Sequence, residues 1–437
     1  MTTRTAVGID FGTTNSSIAR YVGDSSAGSP TLDLARFPFF DGTTESYRSL
    51  LFLENVRQQG KNKVLSWTGP AGIEHYLSRE GAGRLIQSLK SFLTSRTLQT
   101  TEVFGRRVAI EDLIARVLRD LREKAEKQFG VPISSAMAGR PVRFVGAETE
   151  EDNRYAEGRL RKAYQLAGFE QIEFEMEPVA AAHFYESTLE RDELILIGDF
   201  GGGTSDFSLI HVGPTIRRRG RTAADLLGNA GVGIAGDAFD AKIVRNLVSP
   251  DLGAGTQMRS MNKLLPVPTW VYAKLERWHH LSFLKAKDTM NMLASVKAQA
   301  LEPRKIEALI HLVNEDLGYH LHQAVQKTKC DLSMETSARF HLSDGFLELD
   351  SPAQRTCFEE WIAEEVGAIE GCVDSLLASS GVHPADVNMV FLTGGSSFVP
   401  AVRRVFERRF GANRIRSGNE FTSVAAGLAL KANDTFS

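Results

Sequence analysis

The sequence has few cysteines and no long apolar segment. Its 437 residues include three cysteines, Cys330, Cys357 and Cys372, and no CxxC pair, which excludes a readable disulfide framework. No apolar run is long enough to cross a membrane, and the amino terminus begins with a strand pattern instead of a signal sequence. The net charge of −3 gives no reason to expect nucleic acid or a membrane as a partner. We therefore expect a soluble protein of the cytoplasm.

Several common catalytic and nucleotide-binding motifs are also missing. No GxxxxGK string followed by serine or threonine occurs, so a P-loop is excluded. The string GVGIAG at 231–236 fits GxGxxG, but no apolar strand precedes it, which argues against a dinucleotide-binding fold. His279 and His280 are adjacent and His320 and His322 are two apart, so neither pair shares a helix face or indicates a metal site.

The chain contains two similar stretches, each at the start of a run of strands and helices. Ala6–Ser17 reads AVGIDFGTTNSS, and Ile195–Ile210 reads ILIGDFGGGTSDFSLI. Each stretch has an apolar strand, an aspartate, a turn rich in glycine and hydroxyl residues, and a second apolar strand. Because a similar order of elements follows each stretch, the sequence predicts a duplicated α/β architecture. We expect lobe I at 1–193 with a closing helix at 421–437, and lobe II at 194–420 with a largely helical outer block near 237–333.

The first turn has the residue types of a phosphate-binding loop. Gly12 allows a tight turn after the strand, so that the amides of Gly12, Thr13 and Thr14 can point into one concavity that suits anionic oxygens. The threonine hydroxyls add further donors. Asp10 stands at the end of the strand, where a carboxylate can hold Mg²⁺, usually through water.

The second turn repeats this chemistry. Asp199 precedes three glycines, Gly201–Gly203, which weaken a strand and favour a close backbone approach to a ligand. Thr204 and Asp206 follow. Two ordinary hairpins are the alternative interpretation, but the matching aspartate and threonine positions favour a clamp that grips a polyphosphate from both sides.

Two further sites each have two possible interpretations from the sequence. Glu177 precedes Pro178 at a helix start, where a carboxylate can either complement the helix dipole or orient a water molecule. Gly394, Gly395 and Ser396 lie between a strand and a helix, either as a routine turn or as a place where a ligand meets the backbone.

These motifs together resemble the actin, hexokinase and heat-shock protein 70 superfamily, and most closely the nucleotide-binding domain of DnaK-type chaperones. The strings AGRPVRF, LAGFEQIEFEMEPVAAAHFYE, GDFGGGTSDFSLI and LTGGSSFVP carry the resemblance, which is closer still to the YegD-type branch of heat-shock-protein-70-like proteins. It implies an actin-like ATPase fold, with two ribonuclease H-like lobes around a nucleotide cleft that holds ATP or ADP with Mg²⁺.

The resemblance assigns a role to each matching position. Asp10 and Asp199 match the acidic residues around Mg²⁺, and Glu177 and Asp206 match carboxylates that organise water and metal. Thr13 and Thr204 match the hydroxyls near the γ-phosphate, and Pro141 matches a proline that relays the nucleotide state. The remaining matches are nucleotide contacts: Gly12, Thr13, Thr14, Asn15, Gly201, Gly202, Gly203, Thr204, Gly236, Gln326, Lys329, Cys330, Ser333, Gly394, Gly395, Ser396 and Phe398.

The chain also departs from the family pattern. Gly72 stands where the chaperones carry a catalytic lysine, and Lys61, Lys63 or Lys90 are the candidates to replace it. Losing a cation beside a developing phosphoryl charge costs several kcal/mol of transition-state stabilisation. Cys330 and Phe398 stand where the chaperones stack adenine between two arginines, although an aromatic face can still stack on a base.

The sequence therefore predicts a chaperone-related protein that binds Mg-ATP and hydrolyses it weakly or conditionally. The resemblance includes no peptide-binding domain, so a partner or client protein acting in trans is expected. The alternatives are a nucleotide sensor that does not hydrolyse ATP, an actin-like filament protein and a small-molecule kinase of the same superfamily.

Overall fold

The computed structural model describes most of the chain. The described residues are 5–24, 30–39, 42–58, 61–78, 83–186, 189–220, 222–261, 263–276, 284–315, 317–417 and 423–436. His279, His280 and residues 421, 422 and 437 of the predicted closing helix lie outside them.

The secondary structure mixes strands and helices along the whole chain. The strands are β1 Thr5–Phe11, β2 Asn15–Asp24, β3 Pro30–Leu34, β4 Phe37–Phe39, β5 Gly42–Thr44, β6 Tyr47–Arg48, β7 Leu50–Gln58, β8 Lys61–Thr68, β9 Arg84–Gln87, β10 Thr100–Val103, β11 Arg106–Ala109, β12 Ile133–Arg140, β13 Gln171–Met176, β14 Glu193–Phe200, β15 Ser205–Val212, β16 Leu226–Val232, β17 Gln257–Ser260, β18 Lys263–Pro266, β19 Ser337–Ser343, β20 Glu348–Gln354, β21 Met389–Thr393 and β22 Ile415–Ser417. The helices are α1 Gly69–Ser78, α2 Ile110–Phe129, α3 Glu150–Leu166, α4 Glu177–Glu186, α5 Pro214–Arg219, α6 Gly236–Ile243, α7 Trp270–Leu275, α8 Lys287–Gln299, α9 Pro303–Asn314, α10 Gly318–Met334, α11 Arg355–Trp361, α12 Ala363–Ser380, α13 Pro400–Phe410 and α14 Ser423–Phe436.

Two sheets have the same topology. In the first, the strand order is β13-β12-β1-β2-β3, and in the second it is β22-β21-β14-β15-β16. The central strand of each, β1 or β14, forms an antiparallel hairpin with the next strand and pairs in parallel with a strand from later in the chain. The repeat confirms the duplicated α/β architecture that the two similar stretches predict.

Two helices pack between these sheets. Helix α14 lies so close to β1 that a Cβ atom on Gly8 would stand 2.2 Å from the backbone nitrogen of Ala429. Its other neighbour is α4, because a Cβ atom on Gly427 would stand 1.7 Å from the carbonyl oxygen of Ala180. Leu428 joins one buried apolar cluster with Ala180 and with Ile197 of β14. The carboxyl-terminal helix therefore ties the start of the chain to its middle.

Local signals set the ends of the outer helices. Helix α2 buries Leu113, Val117 and Leu121 along one face and ends at Gly130, whose φ of 70° lies in the left-handed region that favours glycine. Helix α3 begins at a capping box in which Thr149 and Asp152 satisfy each other's backbone amides.

The chain divides into two compact units. The first contains residues 1–76, 85–236 and 367–437, and therefore both sheets, and the second contains residues 77–84 and 237–366. Helices α6 to α11 belong to the second unit, together with the hairpins β17–β18 and β19–β20. The β17–β18 hairpin was not expected from the sequence, because its short strands alternate weakly and are mostly exposed.

A methyl group added at Gly427 should disrupt the packing of α14 on α4. We expect Gly427→Ala to lower the free energy of unfolding by about 1–3 kcal/mol or more, since the methyl group would overlap a backbone carbonyl that cannot move alone. Gly371→Ala in α12 is the matched control, because nothing lies within 4 Å of its Cβ position. That control should be neutral or stabilising. Equal stability of the two variants in chemical denaturation would contradict the packing described here.

Candidate functional site

The first turn connects β1 to β2 and leaves a polar atom without a partner. A Cβ atom on Gly12 would stand 2.2 Å from the carbonyl oxygen of Asn15, so a larger residue would force the turn open. The backbone amide of Ser49 donates to the carbonyl oxygen of Thr14 at 2.9 Å, and Arg48 donates to Oδ1 of Asn15 at 3.0 Å. The hydroxyl of Thr14 is buried without a hydrogen bond. The turn is thus held firmly while keeping a hydroxyl for a ligand.

The second turn connects β14 to β15 and lies beside the first. The amide of Gly201 donates to the carbonyl oxygen of Thr204 at 2.9 Å, which closes the turn around Gly202 and Gly203. A Cβ atom on Gly203 would lie 3.9 Å from Oγ1 of Thr13, an ordinary van der Waals distance, so the two turns are neighbours. Gly236 is adjacent, because its amide donates to the carbonyl oxygen of Gly201 at 3.4 Å.

Four carboxyl groups gather below these turns. Asp10 is half-buried at the end of β1. Asp199 and Asp206 face each other as a cross-strand pair of the second hairpin, and Glu177, at the start of α4, is buried next to Gly139 of β12. The fold therefore brings together the four acidic residues that the sequence analysis selected from three separate segments.

The carboxyl groups of the two cross-strand aspartates accept hydrogen bonds that the sequence did not reveal. The hydroxyl of Thr393 donates to Oδ1 of Asp199 at 2.6 Å. The amides of Val142 and Arg143 donate to Oδ1 of Asp206 at 2.9 and 3.3 Å. Since Val142 and Arg143 follow Pro141 directly, Asp206 connects the second hairpin to the turn that ends β12.

Burial and repulsion from Glu177 disfavour ionisation of the three aspartates in this cluster. Loss of hydration and the charge of Glu177 raise the pKa of Asp206 to about 8 and that of Asp199 to about 6. The same two causes hold the pKa of Asp10 well above its ordinary value. Each aspartate would be easier to ionise if a further cation entered the site.

A lysine is buried within the cluster. Nζ of Lys90 lies 2.6 Å from Oε1 of Glu177, and both side chains are less than a tenth exposed. Burial alone would lower the pKa of Lys90, but attraction to Glu177, Asp10 and Asp206 outweighs it and holds the pKa above its ordinary value. Of the other two candidate lysines, Lys63 is exposed, and the side chain of Lys61 lies outside the described part of the chain.

A side chain at Gly72 would crowd its neighbours, so the position does not suit the lysine that the family pattern has there. It lies in α1, where a Cβ atom would stand 2.8 Å from Cδ1 of Leu50 and 3.0 Å from the carbonyl oxygen of Trp67. The second of these neighbours is backbone and cannot swing aside.

The predicted adenosine residues fall in two groups, one in each unit. Gln326, Lys329, Cys330 and Ser333 follow i, i+3, i+4, i+7 spacing on α10 in the second unit, so they share one helix face. Nζ of Lys329 pairs with Oδ1 of Asp240 at 2.7 Å in the same unit.

The other predicted adenosine residues lie in the first unit, in the turn that follows β21 and packs against the end of β14. Gly394 has a φ of 83°, and a Cβ atom there would stand 2.0 Å from the carbonyl oxygen of Phe200. Gly395 begins a short 3₁₀ turn in which Ser396 is buried and Phe398 is 49% exposed. The glycine therefore allows this turn to lie against the strand that carries Asp199.

Comparison with known proteins identifies the family. A family profile described as "Hsp70 protein" matches residues 86–257 and 302–434. The chain belongs to the Hsp70 family. Its two repeated sheets are accordingly those of the actin-like ATPase fold, and the sequence resemblance to DnaK-type chaperones is confirmed at this level.

Several curated members of the Hsp70 family align with much of the chain at low identity. The chaperone protein dnaK of Cyanidium caldarium is 24% identical over 97% of this chain and 60% of its own length. The chaperone proteins DnaK of Deinococcus radiodurans and Thermus thermophilus are each 26% identical over 76% of this chain and 44% of their own lengths. The chain thus spans about half the length of these relatives.

The residues of the Hsp70-type site fit Mg²⁺ with a phosphate chain better than a metal ion alone. Among the described residues, no group of three or more His, Cys, Asp or Glu side chains is arranged to hold a metal by itself. Mg²⁺ is commonly bound by one or two carboxylates together with water and phosphate oxygens. Asp10 and Asp199 would hold the hydrated ion, and the hydroxyl of Thr14, which is buried without a hydrogen bond, would donate to a phosphate oxygen. When bound, Mg²⁺ neutralises charge on the phosphate oxygens.

The raised pKa of Asp206 predicts a pH effect on stability. A carboxyl group whose pKa is higher in the folded chain than in the unfolded chain stabilises the fold at low pH, and that stabilisation is lost as the pH rises through the folded value. Between about pH 6 and pH 8, the free energy of unfolding of the nucleotide-free protein should fall, at a rate on the order of 1 kcal/mol per pH unit for one titrating group.

Chemical denaturation across that range, compared with Asp206→Asn, measures the effect. The variant should have a flatter dependence on pH. Asp225→Asn is the matched control, because Arg219 lowers the pKa of Asp225 and keeps its titration outside this range. Parallel pH dependences for the wild type and Asp206→Asn would show that Asp206 is ionised throughout.

A lysine introduced at position 72 should destabilise the protein. Gly72→Lys adds a side chain that meets Leu50 and the backbone at Trp67, and we expect it to cost about 1–3 kcal/mol of unfolding free energy. Gly158→Lys in α3 is the matched control, because nothing lies within 4 Å of its Cβ position. If the denaturation midpoints of Gly72→Lys and Gly158→Lys differ by less than the experimental error, α1 has room for the side chain.

Proposed function

We propose that this Hsp70 family member binds Mg-ATP and hydrolyses it to ADP, slowly or only when a partner protein acts on it. The single observation that carries the proposal is the convergence of the two glycine turns above Asp10, Glu177, Asp199 and Asp206. Backbone amides and hydroxyls suit phosphate oxygens, and carboxylates suit hydrated Mg²⁺ and the attacking water.

Each part of the site has a distinct task in this proposal. The turns at Gly12–Asn15 and Gly201–Thr204 bind the phosphates from the two repeated halves of the first unit. Thr13 and Thr204 donate hydroxyls to the terminal phosphate. Asp10 and Asp199 hold the hydrated Mg²⁺, and Glu177 and Asp206 orient the attacking water. Gly236, Gly394, Gly395, Ser396 and Phe398 contact the nucleoside from this same unit. Contacts from Gln326, Lys329, Cys330 and Ser333 stay a prediction of the resemblance.

The occupied hydrogen bonds of the site support slow or conditional hydrolysis. Glu177 is paired with Lys90 at 2.6 Å, and Asp206 accepts two backbone amides. These contacts occupy Oε1 of Glu177 and Oδ1 of Asp206, which leaves each carboxylate fewer acceptor positions for the attacking water. A partner that shifts the turn after Pro141 would release Asp206, which links hydrolysis to a partner through this chain's own residues.

The low-identity DnaK relatives support a chaperone-related role. These relatives are named chaperone proteins, which motivates the proposal that this chain acts with a client or partner protein. The peptide-binding function would then be supplied in trans. We also propose membership of the YegD-type branch and a cytoplasmic location. None of the described helices is long and apolar enough to cross a membrane.

Removal of the Thr204 hydroxyl tests the hydrolytic part of the proposal. Thr204→Val should keep the buried shape of the turn but lower the single-turnover rate of ADP formation from Mg-ATP by about 10²–10³-fold, as loss of one transition-state donor does. Thr215→Val, at an exposed position of α5, is the matched control and should leave the rate unchanged. Mg-ATP binding without ADP formation by the wild type would instead identify a nucleotide sensor.

A further inference from the structure

We infer that Lys90 is a catalytic residue: the cation that contacts the terminal phosphate of ATP, in place of a lysine from α1. The inference rests on the proposed function and deepens it, because it assigns the positive charge of the site to a different segment of the chain. In the structure the Lys90 side chain is held in the carboxylate cluster by Glu177.

The backbone around Lys90 is built to direct this side chain inward. Ser88 precedes the 3₁₀ turn Leu89–Phe92 and has φ 53° and ψ 32°, the left-handed region that a serine adopts at a cost of about 1–2 kcal/mol. Leu89 and Leu93 are both buried and fix the turn in the apolar core. The strained residue stands directly before a turn that two buried leucines anchor, and this backbone carries Lys90 into the cluster.

The surroundings of Lys90 distinguish it from a structural ion pair. Arg159 is the other buried side chain among the described lysines and arginines, and it pairs with Glu111 and with three backbone carbonyl groups. Lys90 instead lies among carboxyl groups that outnumber it, since Asp10 and Asp206 act on it in addition to Glu177. Its ammonium group has three donors, of which Glu177 uses one, and the others are available for phosphate oxygens.

The same fold explains why the charge comes from this segment. In the helix that would carry a lysine at position 72, a Cβ atom would stand 3.0 Å from the backbone of β8, so a side chain there would disturb this packing. Lys90 follows β9, which pairs with β7 of the same three-stranded sheet. A cation from a neighbouring element therefore enters the acidic cluster while α1 stays closely packed.

The test compares nucleotide affinity and single-turnover hydrolysis in wild type, Lys90→Met and Lys63→Met. Lys63→Met removes a lysine at an exposed position and should behave as wild type. Lys90→Met should reduce the preference for Mg-ATP over Mg-ADP by about tenfold or more, the effect of losing one charge-assisted contact. It should also lower the rate of ADP formation by about 10²–10³-fold.

A second pair of variants covers the case in which Lys90→Met fails to fold because Glu177 is left buried and unpaired. The double variant Lys90→Met with Glu177→Gln contains no charge at this pair, and in the single Glu177→Gln variant Lys90 still lies near the carboxyl groups of Asp10 and Asp206. The double variant should lose the preference for Mg-ATP that the single Glu177→Gln variant retains. This difference isolates Lys90 from any structural role of the pair.

The outcomes separate this inference from the proposed function. Wild-type binding of Mg-ATP without hydrolysis removes the hydrolytic part of the proposed function, and a loss of ATP preference on replacing Lys90 still supports the inference. An unchanged ATP preference and an unchanged rate in a folded Lys90→Met variant overturn the inference and leave the proposed function in place. Absence of any nucleotide binding by the wild type overturns both.

Discussion

The burial of one lysine among four carboxyl groups is the constraint on which the site depends. Lys90 offsets part of the negative charge of Asp10, Glu177, Asp199 and Asp206, yet the aspartates still have raised pKa values. An isolated buried charge is costly, and a buried cluster with an excess of one sign favours the entry of the opposite charge. The electrostatics of the cluster thus favour binding of a further cation such as hydrated Mg²⁺.

Close backbone packing holds this cluster in place. Gly8, Gly427 and Gly394 each stand where a side chain would overlap the backbone of another element. These contacts join β1, α14, α4 and β14, which come from both ends and the middle of the chain. Because packed interiors deform little, the two halves of the first unit present their turns and carboxylates at fixed positions.

The structure gives a physical reason for one departure from the Hsp70 pattern, the glycine at position 72. Gly72 first suggested a defective site, since a family cation was missing from its expected place. The structure instead shows a well-packed glycine and a buried lysine from another segment. The same catalytic demand, one positive charge beside a phosphate, can thus be met from a different element when packing closes the original route.

The sequence by itself determined the features that depend on neighbouring residues. The two hairpins follow from turn chemistry and strand periodicity over a few residues. The resemblance selects Gln326, Lys329, Cys330 and Ser333, and the structure shows that they share one face of α10. Whether those four residues contact adenosine stays a prediction. Only the tertiary structure decided which of three lysines joins the acidic cluster, and that Asp206 accepts the amides after Pro141. These contacts join residues that are more than 60 positions apart, and no local pattern encodes such a distance.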